Sequence, residues 1–115
     1  MINAQQICAE YKIPTKGFFI LGLPGETERS ANNTIEFSKL LQDEGMDSAD
    51  FYHLTPYPGT AIWLSPERFG MNIRTKDFKR FMQAGPEAHC IVDTEELKAE
   101  RIDELVEEAK QRWKD

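Results

Sequence analysis

The stretch GFFILGLPGETERSANNTIEFSKLLQDEGMDSADFYHLTPYPGT, residues 17–60, decides the fold. Residues 17–21 show no alternation of polar and apolar side chains. This predicts a strand buried on both faces, as in a parallel sheet covered by helices. Gly22-Leu23-Pro24-Gly25 interrupts it. Thr27 suits an N-cap, and Glu26 and Glu28 suit the positive end of a helix dipole. A helix is predicted over 28–44, with Ala31, Ile35, Phe37, Leu40 and Leu41 on its apolar side. Gly45 follows as the residue that takes a left-handed conformation at little cost. Residues 50–55 are aromatic and β-branched and read as a second strand. Strand, helix and strand over about 35 residues make a βαβ unit, right-handed by the general rule for such crossovers.

Outward from this unit, Ile7, Cys8 and Tyr11 mark a short amphipathic helix over 2–12, closed by Ile13-Pro14. After the second strand, residues 56–60 leave the sheet and Thr60 can cap a helix over 61–70 that ends at Gly70. Phe78, Phe81 and Met82 predict a further helical turn or two, and 88–92 an extended segment. A last helix is predicted to open at 93–96, where Asp93 and Glu96 have the spacing of a capping box. Its stripe is Leu97, Ile102, Leu105, Val106, Ala109 and Trp113, with Lys110, Arg112 and Lys114 at the negative end of its dipole. No internal repeat or low-complexity linker interrupts the chain.

The 115 residues carry 14 Lys and Arg against 20 Asp and Glu, a net charge of −6. That balance argues against duplex nucleic acid or an anionic membrane as the main partner, since both select basic surfaces. No apolar run has the length of a membrane span, and MINAQQICAEYK lacks the pattern of a signal peptide. The two cysteines, Cys8 and Cys90, are far apart and neither belongs to a CxxC pair, so no structural zinc site is expected. A cytoplasmic, reducing setting is the simplest expectation.

In open α/β folds, ligands bind beyond the carboxyl ends of parallel strands. Gly22 and Gly25 stand there, but GLPG is neither a Walker loop nor a GxGxxG fingerprint; alone it reads as a tight turn. LTPYPGT holds the equivalent place after the second strand, stiffened by two prolines around Tyr57. Two constrained loops beyond adjacent strand ends together predict a ligand pocket. His53 reads as a packing residue. His89 and Cys90, as neighbours in an extended segment, point to opposite faces and cannot act as base and nucleophile. Trp63 and Trp113 read as core, and the acidic C-terminal helix as a packed stripe with a solvated face.

GFFILGLPGETERSANNTIEFSKLL followed by DFYHLTPYPGTAIW resembles the second half of the catalytic barrel of radical S-adenosylmethionine (radical SAM) enzymes. It is similar in particular to cobalamin-linked Fe–S oxidoreductases of the magnesium-protoporphyrin monomethyl ester cyclase-like group. The resemblance implies an α/β fold, a fragment of a partial (β/α)6 TIM-like barrel that holds S-adenosylmethionine and a [4Fe–4S] cluster. Residues 17–22 would be its fifth strand and 50–55 its sixth. Ile20 and Gly22 match the family's GxIxGxxE motif; Phe18 stands at its first Gly, and Gly25 at its Glu, with Glu26 one step later. The implied cofactor-binding residues are Ile20, Gly22, Gly25 and Glu26 from the fifth strand and its loop, and Leu54, Thr55 and Pro56 from the sixth.

The family's Cys-x-x-x-Cys-x-x-Cys cluster loop does not occur in the sequence, and three thiolates must converge to hold a cluster. The resemblance therefore implies a C-terminal fragment. Residues 1–70 would complete a barrel, and 71–115 would form a helical extension packed on it. The parent would cleave S-adenosylmethionine reductively to a 5′-deoxyadenosyl radical that abstracts hydrogen from an unidentified small molecule. The fragment alone would hold no metal and would not be catalytic; use of cobalamin by the parent stays open. Expected partners are the rest of the parent chain and, through an exposed sheet edge, a second copy. The alternative is a free-standing α/β ligand-binding or interaction domain.

Overall fold

In the computed structural model, which describes residues 1–81 and 89–114, β1 (Lys16–Leu21) and β2 (Ser48–His53) lie parallel. Their register runs from Lys16 opposite Ser48 to Leu21 opposite His53. The helix between them, α2 (Glu28–Asp43), starts and stops where local chemistry dictates. Thr27 Oγ1 accepts the Ser30 N–H at 3.1 Å and Ser30 Oγ accepts the Thr27 N–H at 2.9 Å, a reciprocal capping box with serine in the place of the usual Glu. At the other end Gly45 takes φ +101°, the Gly45 N–H bonds Gln42 O, and the Met46 N–H bonds Leu41 O. That is the Schellman arrangement, which satisfies carbonyls the helix would otherwise orphan.

The second strand begins two residues before the predicted 50–55. Its opening, Ser48-Ala49, carries no β-branched or aromatic residue to mark it, and Pro56, without an N–H, stops the ladder. Leu54 still donates to Leu21 O at 3.1 Å, so pairing runs one residue past His53. The first helix, α1 (Ile2–Glu10), stops two residues short of its predicted end, with Lys12 in the left-handed region at φ +58°.

One face of the pair is covered by α2 and by α5 (Ala99–Lys114), which packs chiefly on β2 and α2. Leu21 and Phe51 are buried there; Phe19 stacks on Phe51 at 5.2 Å, and Phe51 meets the edge of Trp113 at 6.5 Å. The expectation of burial on both faces fails for the other side. Phe18, Ile20 and Tyr52 point there and are 67%, 44% and 48% exposed. The reason is topological: among the described residues β1 pairs only with β2, and α2 and α5 both pack on the opposite face. The exposed face is apolar nonetheless, with Phe18 and Tyr52 stacked at 6.3 Å and a Lys16–Asp50 ion pair of 2.8 Å at its rim.

Residues beyond 60 differ from expectation in three ways. The single helix predicted over 61–70 is α3 (Ala61–Leu64) followed by a 3₁₀ turn, Pro66–Phe69, because Pro66 forces Ser65 out of helical geometry (φ −144°, ψ 67°). The extended segment expected near 88–92 pairs at its end, as β4 (Val92–Asp93), with a strand that was not expected, β3 (Asn72–Ile73), in a small antiparallel ladder. Between them is α4 (Phe78–Phe81); Met82 and Ala88 fall outside the described residues. Third, the last helix starts at Ala99, well after the predicted 93–96. Asp93 is a strand residue and makes no box with Glu96; its Oδ1 reaches forward to accept the Ala99 N–H at 2.8 Å. Ile91, Val92, Leu97, Ile102, Leu105 and Ala109 join Leu21, Ile35 and Phe51 in one core.

Asp93 makes acid stability measurable. Its carboxylate also accepts from Arg74 Nε at 2.9 Å and Asn72 Nδ2 at 3.1 Å. Burial pushes its pKa up, but hydrogen bonds from Arg74, Asn72 and the Ala99 N–H, with the Arg74 charge, outweigh that and hold it below the usual 3.8. A carboxyl depressed on folding adds stability above its ordinary range, and that stability is lost as pH falls through the folded value. Chemical denaturation is expected to show Asp93→Asn less stable than the parent at neutral pH. The gap starts to close as pH drops below about 5 and goes on closing below the usual 3.8; a gap independent of pH would contradict this.

Candidate functional site at the strand ends

The two strands leave the sheet by the same device. Leu23-Pro24-Gly25-Glu26 closes with the Glu26 N–H on Leu23 O at 2.9 Å, and Tyr57-Pro58-Gly59-Thr60 with the Thr60 N–H on Tyr57 O at 3.2 Å. Gly25 and Gly59 have φ +82° and +90°, the left-handed third position of a type II turn, where glycine is favoured and proline before it fits. Each turn runs into a threonine cap: Thr27 for α2, and Thr60 Oγ1 accepting the Trp63 N–H at 3.2 Å for α3. The parallel register and the Leu54–Leu21 bond put both turns beyond the same end of the pair. This Pro-Gly-then-Thr pattern is visible twice in the sequence, at residues 24–27 and 58–60.

The expected cofactor residues divide into those that face outward and those that brace. Ile20 is on the exposed face, opposite Tyr52 in register. Gly25 has open space where a Cβ would project, and so has Gly59. Gly22, at φ +86°, has none: a Cβ there would lie 3.1 Å from Ile102 Cγ2. The Gly22 N–H is also engaged, donating to Glu26 Oε1 at 3.3 Å. Glu26 is buried and turned back into the loop; its other carboxylate oxygen accepts the Ser30 hydroxyl, and its backbone carbonyl accepts the Thr94 hydroxyl at 3.0 Å. Leu54 and Thr55 are half-buried and Pro56 fully buried. The structure thus brings Ile20, Gly22, Gly25, Leu54 and Thr55 to one end of the sheet, with Glu26 and Pro56 beneath them.

The remaining polar candidates lie elsewhere. His53 is half-buried on the covered face, and its Nδ1 is buried without a hydrogen-bond partner among the described residues. His89 is exposed, with Nδ1 3.6 Å from Asp103 Oδ2. Cys90 is buried and donates its thiol to Val92 O at 3.4 Å; burial pushes that thiol up to about 11. Both line a cavity of about 340 Å³ with Arg74, Glu100 and Asp103, which includes no residue of the two loops. Both cysteines are free. Because the thiolate is the reactive form, Cys90 is expected to resist iodoacetamide near pH 8 in the folded chain and to react on unfolding. Equal labelling rates in both states would contradict its burial. Among the described residues no group of three or more His, Cys, Asp or Glu could hold a metal ion, and no helix is long and apolar enough to cross a membrane.

Comparison with known proteins adds relatives of part of this chain. An uncharacterized methyltransferase of Pyrococcus horikoshii is 39% identical over 62 residues, 54% of this chain and 13% of its own length. An uncharacterized protein of Methanocaldococcus jannaschii is 33% identical over 62 residues, covering 54% of this chain and 12% of its own. The ribosomal protein uS12 methylthiotransferase RimO of Actinobacillus succinogenes is 30% identical over 81 residues, 70% of this chain and 17% of its own. The chain therefore spans less than a fifth of the length of the curated relatives it matches. No family model matches it, and no solved structure does. Two of the three relatives bear the names of group-transfer enzymes, so the chain is related to proteins named as enzymes.

Proposed function

We propose that this chain is the closing part of a radical SAM barrel, with β1 and β2 as its last two strands and the two Pro-Gly loops as part of the S-adenosylmethionine wall. The observation that carries this reading is the exposed apolar face of a parallel strand pair. Parallel sheets occur almost only with both faces covered, and here Phe18, Ile20 and Tyr52 face away from α2 and α5. In a barrel that face is the interior, closed by further strands. The similarity to a methylthiotransferase and a methyltransferase supports the same reading.

The loops fit an adenosyl ligand. Gly25 and Gly59 leave open the space that side chains would fill, so backbone approaches the ligand closely. Ile20 and Tyr52 offer an apolar surface to a purine and exclude water from it. Leu54 and Thr55 flank it from the second strand, while Glu26 holds the first loop closed. S-adenosylmethionine would supply the reactive 5′-deoxyadenosyl group or the methyl group there. The residues of this chain do not fit the iron–sulfur cluster, for which the described residues offer no ligand set; the rest of the parent would provide it.

Titration of the ¹⁵N-labelled chain with S-adenosylmethionine tests the wall directly. The amides of Gly22, Gly25, Leu54 and Thr55 are expected to shift together and saturably, with weak affinity because only part of the wall is present. Shifts confined to the Arg74–Asp103 cavity, or none at the two loops, would count against the reading.

A further inference from the structure

The first loop is held partly from outside the βαβ unit. Glu26 C=O accepts the hydroxyl of Thr94, a buried residue 68 positions further along the chain, at 3.0 Å. That hydroxyl is fixed on its other side too, because it accepts the Leu97 N–H at 3.0 Å while the Thr94 N–H donates to Leu97 O at 2.8 Å. On the loop side, the Glu26 N–H closes the Pro-Gly turn on Leu23 O, and the Thr27 N–H is held by Ser30 Oγ at 2.9 Å. Both ends of the peptide between Glu26 and Thr27 are therefore bonded, the carbonyl end by Thr94 and the amide end by Ser30. A buried carbonyl that loses its donor is left unsatisfied, and the chain moves to recover a partner. Turning that peptide displaces Glu26, whose carboxylate receives the Gly22 N–H.

We propose that Thr94 is a positioning residue for the 22–26 loop: its hydroxyl fixes the Glu26–Thr27 peptide and thereby the shape that the loop presents to its ligand. What the loop presents itself to rests on the reading of an S-adenosylmethionine wall; the holding of the loop does not. The segment leading into α5 is then part of the site's scaffold.

Amide exchange and ligand titration on the 115-residue chain separate the two claims. With Thr94→Val, the amides of Gly22, Glu26 and Thr27 are expected to exchange several-fold and up to about tenfold faster, the factor that one lost hydrogen bond of ordinary net strength allows. The amides of Phe19, Leu21 and Ile102 keep their protection. Thr94→Ser, which retains the hydroxyl, is expected to restore the parent's rates, and S-adenosylmethionine affinity should follow the same order in the three proteins. Unchanged exchange in Thr94→Val would overturn the proposal, as would acceleration spread evenly over β1 and α5 or a serine variant as fast as the valine one. If the parent chain shows no loop shifts with S-adenosylmethionine, the functional reading fails. The exchange rates still decide the role of Thr94.

Discussion

Sedimentation of the 115-residue chain carrying Phe18→Ser and Tyr52→Ser is expected to show a monomer where the unaltered chain self-associates. The driving force is the uncovered face: Phe18, Ile20 and Tyr52 form one apolar strip on the open side of β1 and β2. On the proposed barrel reading, that face has lost its cover here, and a second copy can supply it. Burying a large apolar side chain is worth about 1.5–3 kcal/mol. Removing two from each face should weaken the dissociation constant by roughly 100-fold or more, at 1.4 kcal/mol per factor of ten. Because both side chains are exposed in the single chain, its own unfolding should change by no more than about 0.5 kcal/mol for each substitution. Light scattering at several concentrations reads the effect. A parent chain that stays monomeric to high micromolar concentration would contradict it. So would undiminished association of the double variant, which would point instead to the free edge of β1.

Gly22→Val is expected to be the most damaging single change in the loops, costing roughly 3–5 kcal/mol of folding stability by two mechanisms acting together. A non-glycine residue held at φ +86° pays about 1–3 kcal/mol, and β-branching makes that region worse. The new side chain also meets Ile102, fully buried in the core and 3.1 Å from where its Cβ would sit. Gly25→Ala shares the unfavourable φ, +82°, but enters open space, so about 1–2 kcal/mol is expected. Denaturant unfolding of the two variants side by side tests this. Equal losses would mean that Ile102 does not wall the loop from below.

The parallel pair, the capping of α2 by Thr27 and its end at Gly45 were legible because each is local: an unbroken apolar run, a threonine at the right offset, a glycine after the last helical turn. What was not legible depended on partners far away in sequence. Residues 17–21 are apolar throughout, which signals burial on both faces, but not whether the second cover belongs to this stretch of chain. Asp93 and Glu96 have capping-box spacing, yet the pull of Asn72 in the ladder and of Arg74 on the Asp93 carboxylate sets that residue in a strand instead. In the candidate site, Ile20, Gly22, Leu54 and Thr55 follow from the family resemblance, and the parallel order of the two strands sets them at one end of the sheet. The inward turn of Glu26 was hidden because its partners, Gly22 N–H, Ser30 and Thr94, form no sequence pattern that marks a carboxylate as a brace.

Reductive cleavage of S-adenosylmethionine by the native assembly tests the central claim most directly. The chain would be tagged at its C-terminus at its own chromosomal locus and purified anaerobically. The preparation would then be assayed for 5′-deoxyadenosine under a strong reductant. The expected result is release of 5′-deoxyadenosine by a species that carries a three-cysteine cluster segment, in the same polypeptide or as a bound partner. Recovery of the 115-residue chain by itself, without such a segment and without 5′-deoxyadenosine, would contradict the assignment to a radical SAM barrel.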